Sequence, residues 1–144
     1  MNKNIFTVTG GIYLLLLNFS CNAQPTGTLT IDASNFKNDK GVAIVHLFRK
    51  QDDVPKKLFQ KASQVIVNGK TSIVLHNLSY GDYAALLFHD ENSNGILDHR
   101  FGFPNEPMGF SNNWKLSLFS GMPTFHKLRF EFSESKSRHT IMIH

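Results

Sequence analysis

The chain has 144 residues, 41% hydrophobic content, a formal net charge of +4 and one cysteine, Cys21. That length fits one domain with a core burying roughly two-thirds of its unfolded surface, and the apolar content argues against global disorder. The cations are scattered rather than run together, which gives nucleic-acid binding little support. A lone cysteine near the start rules out a disulfide framework, a cysteine zinc site and a catalytic thiol further along.

Residues 1–23 read as an export signal. Lys3 supplies a positive start, residues 5–17 are mostly apolar, and Cys21-Asn22-Ala23 suits cleavage after Ala23. The apolar run is short and interrupted for a membrane span. The rival route is lipoprotein processing at Cys21, which leaves a lipid anchor. Ser20 suits that route, but Asn18 stands where leucine is usual. Either route places residues 24–144 outside the cytoplasm, in the periplasm, at the cell surface or in the medium. Removing 1–23 from the 144-residue chain leaves 121 residues for one domain with no membrane span.

Along that domain the apolar pattern has the period of strands. Thr28–Ile31 alternates polar and apolar, and Val42–Phe48 is rich in β-branched residues. Arg49–Ser63 reads as a connection with at most one helical turn near Leu58–Ala62. Val65–Val67 and Ser72–Leu75 flank Asn68-Gly69, the signature of a type I′ hairpin turn. Tyr83–His89 is nearly all apolar to Phe88, which predicts a central strand covered on both faces. His99–Phe125 is a long irregular stretch. Leu128, Phe130 and Phe132 then alternate with charged residues, and Thr140–Ile143 follows a serine-rich turn. About seven strands separated by turns predict an all-β, antiparallel β-sandwich.

One motif carries a mechanism. Oxygen-bearing side chains recur at Asp90, Asn92 and Asn94; Gly95 follows, then the Ile96 carbonyl and Asp98. These are positions 1, 3, 5, 6, 7 and 9 of an EF-hand-like loop, because Ca²⁺ takes six to eight hard oxygens and glycine lets the chain turn around it. Phe101 stands where the bidentate glutamate belongs, so Glu106 or water would have to complete the shell. Few carboxylates imply affinity in the millimolar range. The same residues also make sense as a polar turn after a strand.

Two further groupings stand beside it. The stretch 101–114 concentrates Phe101, Phe103, Phe110 and Trp114 beside Asn112 and Asn113. It reads either as a stacking surface for a small molecule, glycan or cell-envelope protein, or as an aromatic plug for the open end of the sandwich. Asp90, Glu91, Asp98 and Glu106 also lie close in sequence to His89, which motivates an alternative reading as a periplasmic hydrolase or carbohydrate-active enzyme. Against it, the chain has no Gly-x-Ser-x-Gly elbow, phosphate loop or His-Glu-x-x-His, so no catalytic residue is assigned. The seven histidines show no metal-pair spacing.

Leu78-Ser-Tyr-Gly-Asp-Tyr83, His89-Asp-Glu-Asn-Ser-Asn-Gly95 with Asp98, and Gly102-Phe-Pro-Asn-Glu-Pro-Met-Gly-Phe-Ser-Asn-Asn113 together resemble the secreted bacterial family catalogued as domain of unknown function 2141. The resemblance spans nearly all of 24–144. It implies an exported protein of the kind common in Bacteroidetes and Proteobacteria, with no assigned activity. It also implies a small sandwich of the transthyretin-like or carboxypeptidase-regulatory kind. The 90–98 loop is similar as well to the calcium loops of bacterial surface B-repeats.

Overall fold

Val42–Phe48 and the apolar run ending at Asp90 pair with each other across seven positions, and everything else is arranged around that pair. The computed structural model describes residues 24–117 and 119–144. The expected export signal, with Cys21, lies outside the described residues. In chain order the strands are β1 (Thr26–Ser34), β2 (Val42–Phe48), β3 (Gln60–Val65), β4 (Lys70–Ser79), β5 (Gly81–Asp90), β6 (His99–Arg100), β7 (Phe103–Pro104), β8 (Met108–Phe110), β9 (Phe130–Phe132) and β10 (Arg138–Met142). A 3-10 turn covers Ser111–Asn113, and a short helix, α1, covers Phe125–Leu128.

Two sheets face each other, in the all-β, sandwich-like arrangement expected. One has the order β10-β1-β4; the other has β3-β2-β5-β8, with β9 beside β5 as well. β8 pairs with Leu86–Phe88 and β9 with Gly81–Tyr83, so the ten-residue β5 carries both short strands. One pair departs from the antiparallel pattern: β10 runs parallel to β1, from Thr30 opposite Arg138 to Ser34 opposite Met142. A parallel neighbour requires a crossover connection. Here the chain provides it by leaving β9 in one sheet and entering the other.

The predicted Asn68-Gly69 turn forms, with φ of 52° and 68°. The Asp39 carboxylate accepts both turn N–H groups at 2.8 Å, which ties the turn to the β1–β2 loop. Beyond the Val67–Lys70 bridge, however, the two arms separate into different sheets. β3 lies on β2, and β4 pairs with β1 over eight positions. The reason is side-chain content. β1 offers Leu29, Ile31 and Ala33 to Ile73 and Leu75 in the core, whereas Gln60–Val65 is largely polar and exposed. In place of a helical turn at Leu58–Ala62, Leu58 and Phe59 lead into that strand and Gln60–Ala62 begin it.

The core has two parts because β2 and β5 are apolar on both faces. Between the sheets, Leu29, Ile31, Ile73, Leu75, Val45, Leu47, Leu87, Phe132 and Ile141 pack together. On the outer face of the second sheet, Ile44, Phe48, Leu86, Phe88, Met108, Phe110 and Leu128 form a second cluster, covered by Leu58, Leu97, Trp114 and Phe125. Leu128 therefore joins a different core from Phe130 and Phe132; it closes a helical turn at the corner instead of opening the strand.

Gly109 is where β8 meets β10. A Cβ there would stand 2.5 Å from the Met142 carbonyl oxygen and 2.6 Å from the Ile141 side chain. Gly109→Ala is expected to cost about 1–3 kcal/mol, the usual range for overpacking, read as a lower denaturant midpoint with unchanged slope.

His139 stacks on Phe130 at 4.1 Å between ring centroids, and its buried Nε2 has no partner among the described residues. Burial pushes its pKa below the usual 6.5. The unfolded chain then takes up a proton that the folded chain resists, so stability falls as pH drops through 6.5. His139→Phe is expected to flatten that acid limb in denaturation curves recorded on either side of it.

Candidate functional site

Asp90 is the last residue of β5, and strand alternation turns it to the outer face while His89 faces the space between the sheets. Its side chain is 0% exposed, and its two oxygens accept the N–H groups of Asn94 at 3.1 Å and Gly95 at 2.8 Å. The loop then repeats the device. The Asn92 amide oxygen accepts the Asn94 N–H at 3.0 Å, and the Asn94 amide oxygen accepts the Ile96 N–H at 2.9 Å. These side-chain-to-backbone bonds are why Asp and Asn, rather than longer residues, occupy the alternate positions. Left-handed backbone at Ser93 (φ 57°) and Gly95 (φ 79°) completes the curl.

Asp98 closes the loop. The Asn92 amide nitrogen donates to its carboxylate at 2.8 Å, and the Asn94 amide nitrogen does so at 3.1 Å. The Asp98 N–H donates to Glu106 at 3.2 Å, and the Asn105 N–H donates to the Asp98 carbonyl at 2.8 Å, clasping the base of the β6–β7 hairpin. Burial, and then the charges of Asp90 and Asp98, hold the Glu106 carboxyl above its ordinary range, against the opposing pull of the Asp98 and Glu91 N–H groups. Among the described residues none of these three carboxylates has a Lys or Arg partner in an ion pair. Nor do three His, Cys, Asp or Glu side chains converge as one ligand set there. A cation at this loop would thus depend on Asp90 and Asp98 together with amide and main-chain oxygens, the donor set a hard ion such as Ca²⁺ prefers.

The expected aromatic surface divides in two. Phe110 is buried and packs edge-on against Trp114 at 4.8 Å. Asn112 and Asn113 adopt left-handed backbone, φ 57° and 54°, and the Asn112 amide donates to the Lys127 carbonyl at 3.1 Å. Between them, the buried Ser111 hydroxyl accepts the Ala85 N–H at 2.8 Å and lies 2.5 Å from the Leu128 carbonyl. Gly109 to Trp114 is the plug that covers β5. Sequence reading passed over Ser111 because a serine hub looks like any loop serine until its partners, 17 and 26 residues away, are in place.

Phe101 and Phe103 go the other way, with 89% and 64% of their surface exposed. Phe101 and Gly102 form the two-residue tip of the hairpin with φ of 52° and 83°. For a bulky residue that region costs about 1–2 kcal/mol.

His89 does not join the carboxylates. Its Nε2 sits 2.7 Å from the Lys40 carbonyl, which fixes that nitrogen as the donor, and its ring packs edge-on against Phe36 at 5.3 Å. Its nearest carboxylate, on Glu91, is 3.8 Å from Nδ1. A cleft of about 430 Å³ takes Glu106, Lys115 and His144 over Pro104, Met108, Phe110 and Leu116, without Asp90 or His89 in its walls.

The family model described as "Uncharacterized protein conserved in bacteria (DUF2141)" matches residues 31–140. The chain belongs to this family. No curated protein and no solved structure matches. The matched range takes in both sheets, the 90–98 loop, the hairpin and the Ser111 plug, so the site lies within the family domain.

Because the folded chain holds the Glu106 proton more tightly than the unfolded chain, deprotonation works against the fold. Stability in chelator is expected to fall as pH rises from about 4.5 through the raised pKa. Glu106→Gln should remove that slope, read from melting curves across the same window.

Proposed function

We propose that this protein is an exported, non-enzymatic β-sandwich module whose 90–98 loop binds Ca²⁺, with the adjoining segment presented to a ligand or partner in the cell envelope. Residues 1–23 act as the signal, with cleavage after Ala23 or lipidation at Cys21, and 24–144 is the functional domain of transthyretin-like kind. Asp90, Asn92, Asn94, Asp98 and the Ile96 carbonyl are the ligands, with Glu106 reaching the shell directly or through water.

The observation that carries the reading is the coiled loop itself. Asn92 and Asn94 each spend their amide oxygen on one loop N–H and Asp90 spends both oxygens on two, while each of these oxygens keeps a second lone pair. Two amide nitrogens meanwhile converge on Asp98, in the place of a positive charge. Burial chiefly raises the Glu106 pKa, the charges of Asp90 and Asp98 add to it, and a divalent ion would relieve the repulsion among the three. The hydrolase reading has less support, since His89 faces away from Asp90 and donates to a main-chain carbonyl.

A ligand bound only by the folded state raises its stability. Ca²⁺ at tenfold its Kd is expected to add about 1.4 kcal/mol, a rise of about 3–6 °C in melting temperature for a domain this size. Asp98→Asn should abolish the rise, measured against that variant's own curve in chelator, since the substitution also loosens the Asn92 and Asn94 bonds that close the loop. Equal melting with millimolar Ca²⁺ and with chelator would overturn the cation assignment.

A further inference from the structure

The cleft of about 430 Å³ beside the hairpin has walls that the fold supplies ready made. Its floor is apolar, with Met108 and Phe110 from β8 and Pro104 and Leu116 beside them. Strand β8 is held against β5, the Met108 carbonyl accepts the His144 N–H at 2.9 Å, and Phe110 packs edge-on against Trp114. Two groups of opposite charge join the lining, the Glu106 carboxyl and the Lys115 ammonium. Among the described residues neither has an ion-pair partner. Glu106 is positioned by the Asp98 N–H, which donates to it at 3.2 Å. A second hollow of about 420 Å³, over β1 and β4, differs in this respect, because its carboxylate, on Asp32, already holds Arg138 and Ser72.

We propose that this cleft binds a small zwitterion with an apolar body, a free amino acid or a short peptide with apolar side chains. Its size falls within the range of small-molecule sites, which are concave, largely apolar and oriented by a few polar groups. The two charges select the class. A fatty acid would satisfy Lys115 and set its carboxylate against Glu106; an apolar amine would satisfy Glu106 and set its ammonium against Lys115. A molecule carrying both groups pairs each with its opposite, while its side chains cover the apolar floor. A neutral sugar would bury hydroxyls against the side chains of Met108, Phe110 and Leu116, which offer them no hydrogen bonds. The ammonium end is further favoured beside Glu106, because the charges of Asp90 and Asp98 act there in the same sense. This assignment names the ligand in the reading above and rests on its role as a binding module, but it does not require the cation.

The test is isothermal titration of the chain, as its cell produces it, in chelator, with leucine and leucyl-leucine as probes of the two sources. Saturable binding at millimolar concentration is expected, and the tighter probe tells amino acid from peptide. Acetylating that probe removes its ammonium, and amidating it removes its carboxylate. Either change, or Lys115→Met, should weaken binding roughly tenfold or more, the usual effect of losing a charge-assisted hydrogen bond. Glycylglycine, which has both charges and no apolar side chain, should bind more weakly still. The Lys115 side chain is exposed, so Lys115→Met should melt like wild type, which separates lost binding from lost folding. The Met108 methyl resonance should move on titration, which places the probe in this cleft. The proposal is overturned if neither probe binds, if the blocked probes or Lys115→Met bind like the originals, or if the Met108 methyl stays fixed. Binding in chelator, without any Ca²⁺ melting shift, supports the cleft and removes the cation. A Ca²⁺ melting shift without probe binding does the reverse.

Discussion

The fold depends on one constraint: β5 is apolar on both faces, so water must be kept from both. The facing sheet covers one side with Leu29, Ile31, Ile73 and Leu75. The other side is covered by a segment with little regular structure, anchored at Met108, Phe110, Trp114 and Leu128. Such a cover needs its polar backbone satisfied where it is buried. Ser111 and Asn112 do this by bonding to β5 and to the end of α1. Burying this stretch commits Gly109, Phe110, Ser111 and Trp114 to the cover, while Asn112 and Asn113 stay exposed.

The site follows from that cover. The chain must travel from the end of β5 at Asp90 to β8 at Met108, beside the same strand, and the intervening residues have nowhere to go but outward. The 90–98 loop curls on its own carboxylate and amide side chains, and the β6–β7 hairpin projects beyond it. Asp98 and Glu106 join the two, since Asp98 closes the loop while its N–H bonds to Glu106 and its carbonyl receives the Asn105 N–H. Order in the loop and position of the hairpin are thus one mechanical unit. Exposed ion pairs elsewhere, such as Arg138 with Asp32 and Arg129 with Asp82, contribute little to stability.

Much of this was legible in the chain. Val42–Phe48 and the burial of β5 on both faces follow from β-branched and aliphatic runs, and the Asn68-Gly69 turn follows from the residues that tolerate positive φ. The polar turn at 90–98 was legible too, but that Asp90 itself gathers the Asn94 and Gly95 N–H groups was not. What was not legible was the destination of each strand. The arms of the Asn-Gly turn belong to different sheets, and β10 lies parallel to β1, because a period-two pattern names a face and not a neighbour.

The aromatic stretch shows the same division. By itself the sequence determined that Phe101, Phe103, Phe110 and Trp114 share one long segment beside polar amides, and that oxygen-bearing side chains recur just before it. Only the tertiary structure decided that Phe110 and Trp114 turn inward onto β5 while Phe101 and Phe103 turn out to water. Local spacing sets turns and side-chain bonds a few residues apart. Which of several identical rings is buried depends on where Leu86, Phe88 and Leu128, distant in sequence, bring their apolar surface.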